Sequence, residues 1–115
     1  MTHPQADDWS NYWQGRTAED TGSALAGAGI EDMPVLNALW QDVFSGLAAD
    51  TRVLDLACGA GSALRHAEAA GLTALTGADI SSGALDVLKR RLPGAETAQC
   101  SAEDPPFADQ SFDIV

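Results

Sequence analysis

Short apolar runs and amphipathic stretches alternate through the second half of the chain. The apolar runs occupy residues 52–58, 73–79 and 96–100, and a fourth begins at 111–115. The first run is brief and is followed by glycines, a pattern that favours a buried strand. Between the runs, residues 62–70 and 81–92 have the apolar spacing of helices. This order of strand, helix, strand, helix and strand predicts an α/β fold in which helices flank a parallel sheet.

Local signals mark the ends of both helices. Gly71 is placed to end the first helix, and Ser81 can cap the second by accepting a hydrogen bond from a backbone N–H of its first turn. Basic residues at 89–91 lie at the carboxyl end of the second helix, where the helix dipole favours cations. The Pro-Gly pair at 93–94 then stops that helix.

A further helix is predicted before the first strand, at residues 32–48. Pro34 lies near its start, where a missing N–H does no harm. Its apolar residues form a wide stripe at helical spacing: Leu36, Leu39, Trp40, Val43, Phe44 and Leu47. We therefore divide the chain into an N-terminal helical cap or lid segment, residues 1–48, and a sheet-forming domain, residues 49–115.

Three aromatic residues, Trp9, Tyr12 and Trp13, crowd the beginning of the chain. A glycine-rich stretch that favours a loop separates them from the predicted helix. Two interpretations stay open: the aromatic residues form a lid over a ligand, or they anchor an N-terminal helix to the domain.

The charge of the chain excludes several functions. There are 17 acidic residues against 6 basic ones, a formal net charge of −11. Proteins that bind nucleic acids or anionic membranes rely on Lys and Arg, so neither partner is expected. No apolar run is long enough to span a bilayer, and the N-terminus has no signal-peptide pattern. Two cysteines are too few for a disulfide framework, and we expect a cytoplasmic protein.

The first strand-to-helix turn is the candidate ligand site. Gly59 and Gly61 let the backbone approach a ligand closely, and the following helix points free N–H groups into the same space. Asp79 ends the second strand, where a carboxylate can accept hydrogen bonds from both hydroxyls of a ribose. Together these features predict a nucleoside site. The alternative is a tight turn that needs glycine, with Asp79 as an ordinary charge before a helix.

The residues of this turn also indicate which cofactor it binds. The dinucleotide fingerprint G-x-G-x-x-G would require a glycine where Leu64 stands, which disfavours a nicotinamide-dependent oxidoreductase. An acid, Asp55, lies within the strand. The run from Asp55 to Gly61 resembles motif I of class I S-adenosylmethionine-dependent methyltransferases, acid-x-Gly-x-Gly-x-Gly, with Ala57 in place of its first glycine.

Residues 101–115, SAEDPPFADQSFDIV, carry a second resemblance. They are similar to the D-A-E-x-L-P-F-x-D-x-S-F-D-x-V segment of the ubiquinone/menaquinone-biosynthesis-like methyltransferases, the type 11 group. The two motifs stand in the right order and cover residues 53–115. The resemblance implies the Rossmann-like fold of these enzymes, S-adenosylmethionine as the cofactor and a small molecule as the methyl acceptor.

The resemblance also assigns residues to the methionine end of the cofactor. Gly59 and Gly61, with the neighbouring backbone of Ala57 and Cys58, would hold this part of the molecule. Asp55 would orient it through its amino group or a bridging water.

At the nucleoside end, the resemblance gives Asp79 the ribose hydroxyls and places Ile80 on the adenine face. Ser101 stands where the family usually has an Asp that accepts from the adenine amino group. The serine hydroxyl can also accept this hydrogen bond, but it carries no negative charge. The backbone N–H of Ala102 would donate to the adenine ring. No catalytic residue and no metal ligand is assigned, because in this family the acceptor pocket is shaped by loops after the fourth strand.

Other chemically distinctive residues have structural interpretations. Cys58 is expected to be a small buried thiol, and Cys100 to pack within the third strand. Phe107 is expected to pack beside the adenine. Asp113 opens the fourth strand and is expected to be structural.

The chain stops inside its fourth strand, which the resemblance places beside the first. We therefore expect the cofactor-binding part of a methyltransferase, incomplete and inactive alone. Ile114 and Val115 would leave an apolar edge without Lys or Pro, and such edges pair with other chains, so a homodimer is expected. The alternative function is a non-catalytic module of the same fold that binds a nucleoside or S-adenosylmethionine.

Overall fold

The structure is a computed structural model that describes residues 34–115. Its elements in chain order are α1 Pro34–Phe44, β1 Arg52–Leu56, α2 Ser62–Ala69, β2 Ala74–Asp79, α3 Ser82–Arg91 and β3 Glu96–Gln99. The predicted alternation of strands and helices is confirmed, and from β1 to β3 the ends of the elements differ from the prediction by at most two residues. The aromatic residues at 9–13 and most of the predicted cap lie outside the described residues.

The three strands of the described region form one parallel sheet in the order β1-β2-β3. Leu54 stands opposite Thr76 on β2, and Thr76 stands opposite Glu96 on β3. Because the strands are parallel, their carboxyl ends meet at one edge of the sheet. The loops after β1, β2 and β3 are therefore neighbours in space, which is where ligands bind in folds of this type.

One face of the sheet packs against α2 and α3. Val53 and Leu75 point to this face and share a core with Leu64 of α2 and Leu88 of α3. Gly77 of β2 makes the packing tight, because a Cβ at this position would lie 3.1 Å from Leu64 Cδ1. In this domain a large side chain on the helix is accommodated by a glycine on the strand. Leu64 is fully buried there, at the position where a dinucleotide fingerprint would have its third glycine.

Helix α1 ends at Phe44, four residues before the predicted end at 48. Gly46 adopts a left-handed φ of 73°, which stops the helix. Phe44 is buried, and the ring of Trp40 stacks on it with centroids 6.0 Å apart. The predicted apolar stripe is buried only in part, since Leu39 and Val43 remain 49% and 38% exposed.

The segment after β3 returns to the first strand and is fastened there by an ion pair. The Asp113 carboxylate accepts from the Arg52 backbone N–H at 2.8 Å and from its guanidinium at 2.9 and 3.1 Å. These bonds lower the pKa of Asp113 to about 2. The expected structural role of Asp113 is confirmed, because it aligns the following residue with β1.

The fourth strand starts later than predicted. Ile114 forms an isolated parallel bridge with Val53, and its carbonyl accepts from the Leu54 N–H at 2.9 Å. The side chain of Asp113, not a strand backbone, satisfies the N–H of Arg52. The parallel bridge is therefore at Ile114, on the side of β1 opposite β2, as the resemblance implied.

The predicted position of Phe107 beside the adenine is wrong. Its ring packs edge-on against Phe112, with centroids 5.0 Å apart. Together with Arg52 and Thr73 it lines a hollow at the amino-terminal ends of the strands, away from the ligand-binding edge. The ion pair at Asp113 holds the tail near β1, which brings Phe112 and its partner to this end of the sheet.

Two kinds of feature are absent from residues 34–115. No helix in that range is long and apolar enough to cross a membrane. Nor does it contain a group of three or more His, Cys, Asp or Glu residues arranged to hold a metal ion.

Candidate functional site

Every second residue in the loop between β1 and α2 has a left-handed backbone conformation. Ala57, Gly59 and Gly61 have φ values of 57°, 56° and 88°. A left-handed backbone is costly for residues with a Cβ, which is why glycine occupies two of these positions. A hydrogen bond of 3.0 Å from the Gly61 N–H to the Cys58 carbonyl closes the turn. The loop therefore presents bare backbone at the carboxyl end of β1.

Asp79 fastens this loop to the end of β2. Its Oδ2 accepts from the Gly59 N–H at 2.9 Å, and its Oδ1 accepts from the Ser81 N–H at 2.9 Å. A carboxylate has about four acceptor positions, so each oxygen keeps capacity for a ligand donor. The side chain is thus held rigidly and can still accept from two hydroxyls.

These bonds of Asp79 were not predicted from the sequence. A recognisable signal existed for one of them, since an Asp two residues before a helix cap commonly accepts from that backbone N–H. No sequence signal predicts the bond from Gly59, because Gly59 lies 20 residues away from Asp79 along the chain. That bond depends on how β1 and β2 pair.

A hollow of about 160 Å³ opens beside Asp79 at the carboxyl edge of the sheet. Its lining residues are Leu56, Ala57, Ala78, Asp79, Ile80, Cys100, Ser101 and Ala102. It is smaller than the roughly 300–1,000 Å³ of a typical ligand pocket, so it suits one part of a ligand. Ile80 is 43% exposed here, so its side chain offers an apolar surface beside the hollow. The arrangement suits a flat apolar ring on Ile80 next to a hydroxylated group on Asp79.

Five of the nine predicted site residues line this hollow, and the other four lie behind or beside it. Those that line it are Ala57, Asp79, Ile80, Ser101 and Ala102. Gly59 is joined to the hollow through its bond to Asp79, and Gly61 adjoins the first turn of α2. Asp55 and Cys58 complete the set on and after β1.

Cys58 is a buried thiol, as expected, at 8% exposure. Burial and the nearby carboxylates of Asp55 and Asp79 raise its pKa far above the usual thiol range, so it stays protonated and is no nucleophile. Cys100 differs from the prediction. Strand β3 ends at Gln99, and Cys100 is half-buried at the hollow instead of packed within the strand.

Asp55 is the electrostatically unusual residue of the site. Burial raises its pKa to about 6, and the neighbouring charge of Asp79 adds to the effect. Both effects make ionisation of Asp55 less favourable. A cation bound close to Asp55 would favour its ionised form, so the site favours a positively charged ligand group.

Ser101 uses its side chain within its own turn. Its Oγ accepts from the Glu103 N–H at 3.2 Å, and its carbonyl accepts from the Asp104 N–H at 3.1 Å. The hydroxyl therefore shapes the loop that carries Ala102 to the hollow. Its O–H can still donate, and the oxygen keeps one acceptor position.

Ala57 allows a direct test of loop strain. A left-handed alanine costs roughly 1–2 kcal/mol, whereas glycine gives up more chain entropy on folding, by roughly 0.5–1 kcal/mol. We expect Ala57→Gly to leave the free energy of unfolding unchanged or to raise it by up to about 1.5 kcal/mol. Ala38→Gly on the exposed face of α1 should lower it by about 1 kcal/mol. Urea titration of both variants makes the comparison, and equal losses would contradict the strain at Ala57.

A parallel sheet with a glycine loop and an acidic residue at the carboxyl ends of adjacent strands is the arrangement typical of α/β domains that bind nucleotides. Residues 53–115, more than half of the chain, match the family described as methyltransferase domain. The chain belongs to that family.

Sequence and structure comparisons give similar proteins. Demethylmenaquinone methyltransferase of Clavibacter sepedonicus is 43% identical over 70 residues, which cover 58% of this chain and 28% of that protein. The [4+2]-cyclase SpnF has a TM-score of 0.69 at 17% identity, covering 98% of this chain and 48% of that one.

A third similar protein is geranyl diphosphate C-methyltransferase from Streptomyces coelicolor A3(2), solved with Mg²⁺, geranyl diphosphate and S-adenosyl-L-homocysteine. It has a TM-score of 0.60 at 15% identity, covering 92% of this chain and 51% of that one. This chain therefore spans about half or less of the length of these proteins. The two structural matches establish the class I methyltransferase fold.

Proposed function

We propose that this chain is the cofactor-binding part of an S-adenosylmethionine-dependent methyltransferase that acts on a small molecule. The proposal rests on the position of Asp79. The N–H groups of Gly59 and Ser81 hold its carboxylate beside the hollow, where both oxygens can still accept hydrogen bonds. The methyltransferase family supports it, as does the relative named demethylmenaquinone methyltransferase. A small-molecule acceptor agrees with the net charge of −11, which disfavours nucleic acids.

The residues fit the cofactor from one end to the other. Asp79 would accept from the ribose hydroxyls, and Ile80 would support the adenine face. The Ala102 N–H would donate to the adenine ring, while Ser101 stabilises the turn that positions it. At the other end the bare backbone at Gly59 would lie against the methionine part, and Asp55 would attract its ammonium group, directly or through a water.

When bound, the cofactor would supply a methyl group on a positively charged sulfur. A nucleophile of the acceptor would attack the methyl carbon, and the sulfur would leave as a neutral thioether. The described residues contribute binding and orientation, which fix the S–CH₃ bond relative to the acceptor. The negative charges of Asp55 and Asp79 would attract the positively charged groups of the cofactor. A proton lost by the acceptor goes to a base, and none of the described residues is assigned that role.

A second function of the same site is cofactor binding without methyl transfer. The match to SpnF, whose name is that of a cyclase, favours keeping this alternative, because one fold hosts several chemistries. Release of S-adenosylhomocysteine during turnover distinguishes the two functions. A methyltransferase releases one molecule for each methyl group transferred, and a binding module releases none.

Cofactor identity is tested by calorimetry on the intact protein with S-adenosylhomocysteine and with NAD. We expect binding of the first and weaker or no binding of the second. Asp79→Ala should weaken binding by roughly 1–3 kcal/mol, because ligand donors lose their partner. Asp86→Ala, which removes an exposed carboxylate from α3, is the matched control and should change little. Tighter binding of NAD, or equal affinities for the two variants, would refute the assignment.

A further inference from the structure

The cofactor loop is held by more than its own strands. Ala60, at its centre, is completely buried and packs with Ala84 and Val87 of α3. Gly61 lies so close to the same helix that a Cβ there would overlap Leu88 Cδ1. The loop therefore rests on α3, a helix that follows it by more than 20 residues in the chain.

A polar contact reaches the loop from the far end of this helix. Arg91, the last residue of α3, donates from Nη1 to the carbonyl oxygen of Ala60 at 3.2 Å. Helical side chains lean toward the amino terminus, so the long side chain of Arg91 can extend back along α3 toward Val87. Ala84, Val87, Leu88 and Arg91 have the spacing i, i+3, i+4 and i+7, which places them on one stripe of the helix.

The amino end of α3 holds the loop as well. The Ala84 N–H donates to the cap residue Ser81, and the Ser81 N–H donates to Asp79. Asp79 in turn accepts from Gly59. The loop is thus fixed at Gly59 through the start of α3, and at Ala60 through its end.

We propose that Arg91 is a positioning residue for the cofactor: it fixes the peptide group between Ala60 and Gly61, and through it the backbone that faces the methionine part. The inference rests on the proposed function. Glycine-rich backbone has many accessible conformations, so an unrestrained loop would lose entropy when a ligand binds. A guanidinium is suited to this task because it is always charged and makes strong hydrogen bonds to a carbonyl.

The test compares Arg91→Met with Lys89→Met in the intact protein. Both variants remove one positive charge from the last turn of α3, and Lys89 is exposed. By calorimetry we expect Arg91→Met to weaken S-adenosylhomocysteine binding about 5- to 20-fold, the loss of a charged hydrogen bond discounted for solvent exposure. Lys89→Met should stay within about twofold of the wild type by the same reasoning, and Arg91→Lys, which keeps a donor, should recover part of the loss.

A second measurement needs no ligand. Hydrogen exchange at the amides of Gly59 and Gly61 should be faster in Arg91→Met than in Lys89→Met, because the loop opens locally more often. If the wild type binds and the two Met variants match in affinity and in exchange, Arg91 does not position the loop. If the wild type does not bind, the proposed function fails, and the exchange rates alone decide whether Arg91 restrains the loop. Should Arg91→Met not fold, Arg91→Lys is compared with the wild type. A smaller loss of affinity with faster exchange at Gly61 supports the proposal, and equal affinity and exchange contradict it.

Discussion

Gly61→Ala should destabilise the protein by about 2–5 kcal/mol. Its φ of 88° is left-handed, which costs a residue with a Cβ roughly 1–2 kcal/mol. The new methyl group would also overlap Leu88, a fully buried side chain that has little room to move. Overpacking of this kind adds roughly 1–3 kcal/mol. Urea or thermal denaturation measures the loss.

The chain offers controls that separate the two causes. Gly71 has a φ of 94° but open space around it, so Gly71→Ala should show the backbone cost alone, roughly 1–2 kcal/mol. Gly94 also has open space and no left-handed φ, so Gly94→Ala should change little. If Gly61→Ala and Gly71→Ala cost the same, the predicted overlap with Leu88 is absent.

The same positions show what the sequence predicts well. Short apolar runs that alternate with amphipathic stretches locate the strands, and Ser81 marks the start of α3, where it caps the helix through Ala84. These are local signals, carried by residues within a few positions of each other. The parallel sheet follows from their order, because helical crossovers between strands leave few arrangements. The glycine turn at Gly59 and the acid at Asp79 then indicated the candidate site, and the motif resemblance indicated its cofactor.

Interactions between distant residues were not predicted. The bond from Arg91 to Ala60 and the bond from Gly59 to Asp79 join residues that are 31 and 20 positions apart. No local pattern distinguishes Arg91 from the basic residues beside it. The misplacement of Phe107 has the same origin, since the tail that carries it is joined to β1 by an ion pair between Arg52 and Asp113, 61 residues apart.

Asp55→Asn should stabilise the cofactor-free protein above pH 7. Burial and the neighbouring Asp79 raise the pKa of Asp55 from 3.8 to about 6. The folded state therefore binds more protons than the unfolded state between these two values, and stability falls as the pH rises through this window. Above it the ionised carboxylate costs up to about 3 kcal/mol, which the neutral amide removes.

This stabilisation has a pH signature that a simple packing change would not produce. Near pH 4 Asp55 is largely protonated in the folded state, so Asp55→Asn and the wild type should differ little in melting temperature. The difference should grow through pH 6 and level off above pH 7. Asp86→Asn, at an exposed position of α3, is the control. A melting-temperature difference that does not change with pH would show that Asp55 is not held at a raised pKa.

The same substitution should weaken cofactor binding, so stability and function oppose each other at Asp55. A cationic ligand favours the ionised carboxylate, and binding below pH 6 must displace a proton from Asp55. We expect wild-type affinity for S-adenosylmethionine to fall as the pH drops below about 6, by up to tenfold per pH unit. Asp55→Asn should bind about 10- to 100-fold more weakly at pH 8, the loss of a charged hydrogen bond, with little pH dependence from this position. Calorimetry from pH 5 to pH 8 in buffers of different ionisation enthalpy would also detect the released proton. Equal pH dependence in the two proteins would mean that the ligand cation binds away from Asp55.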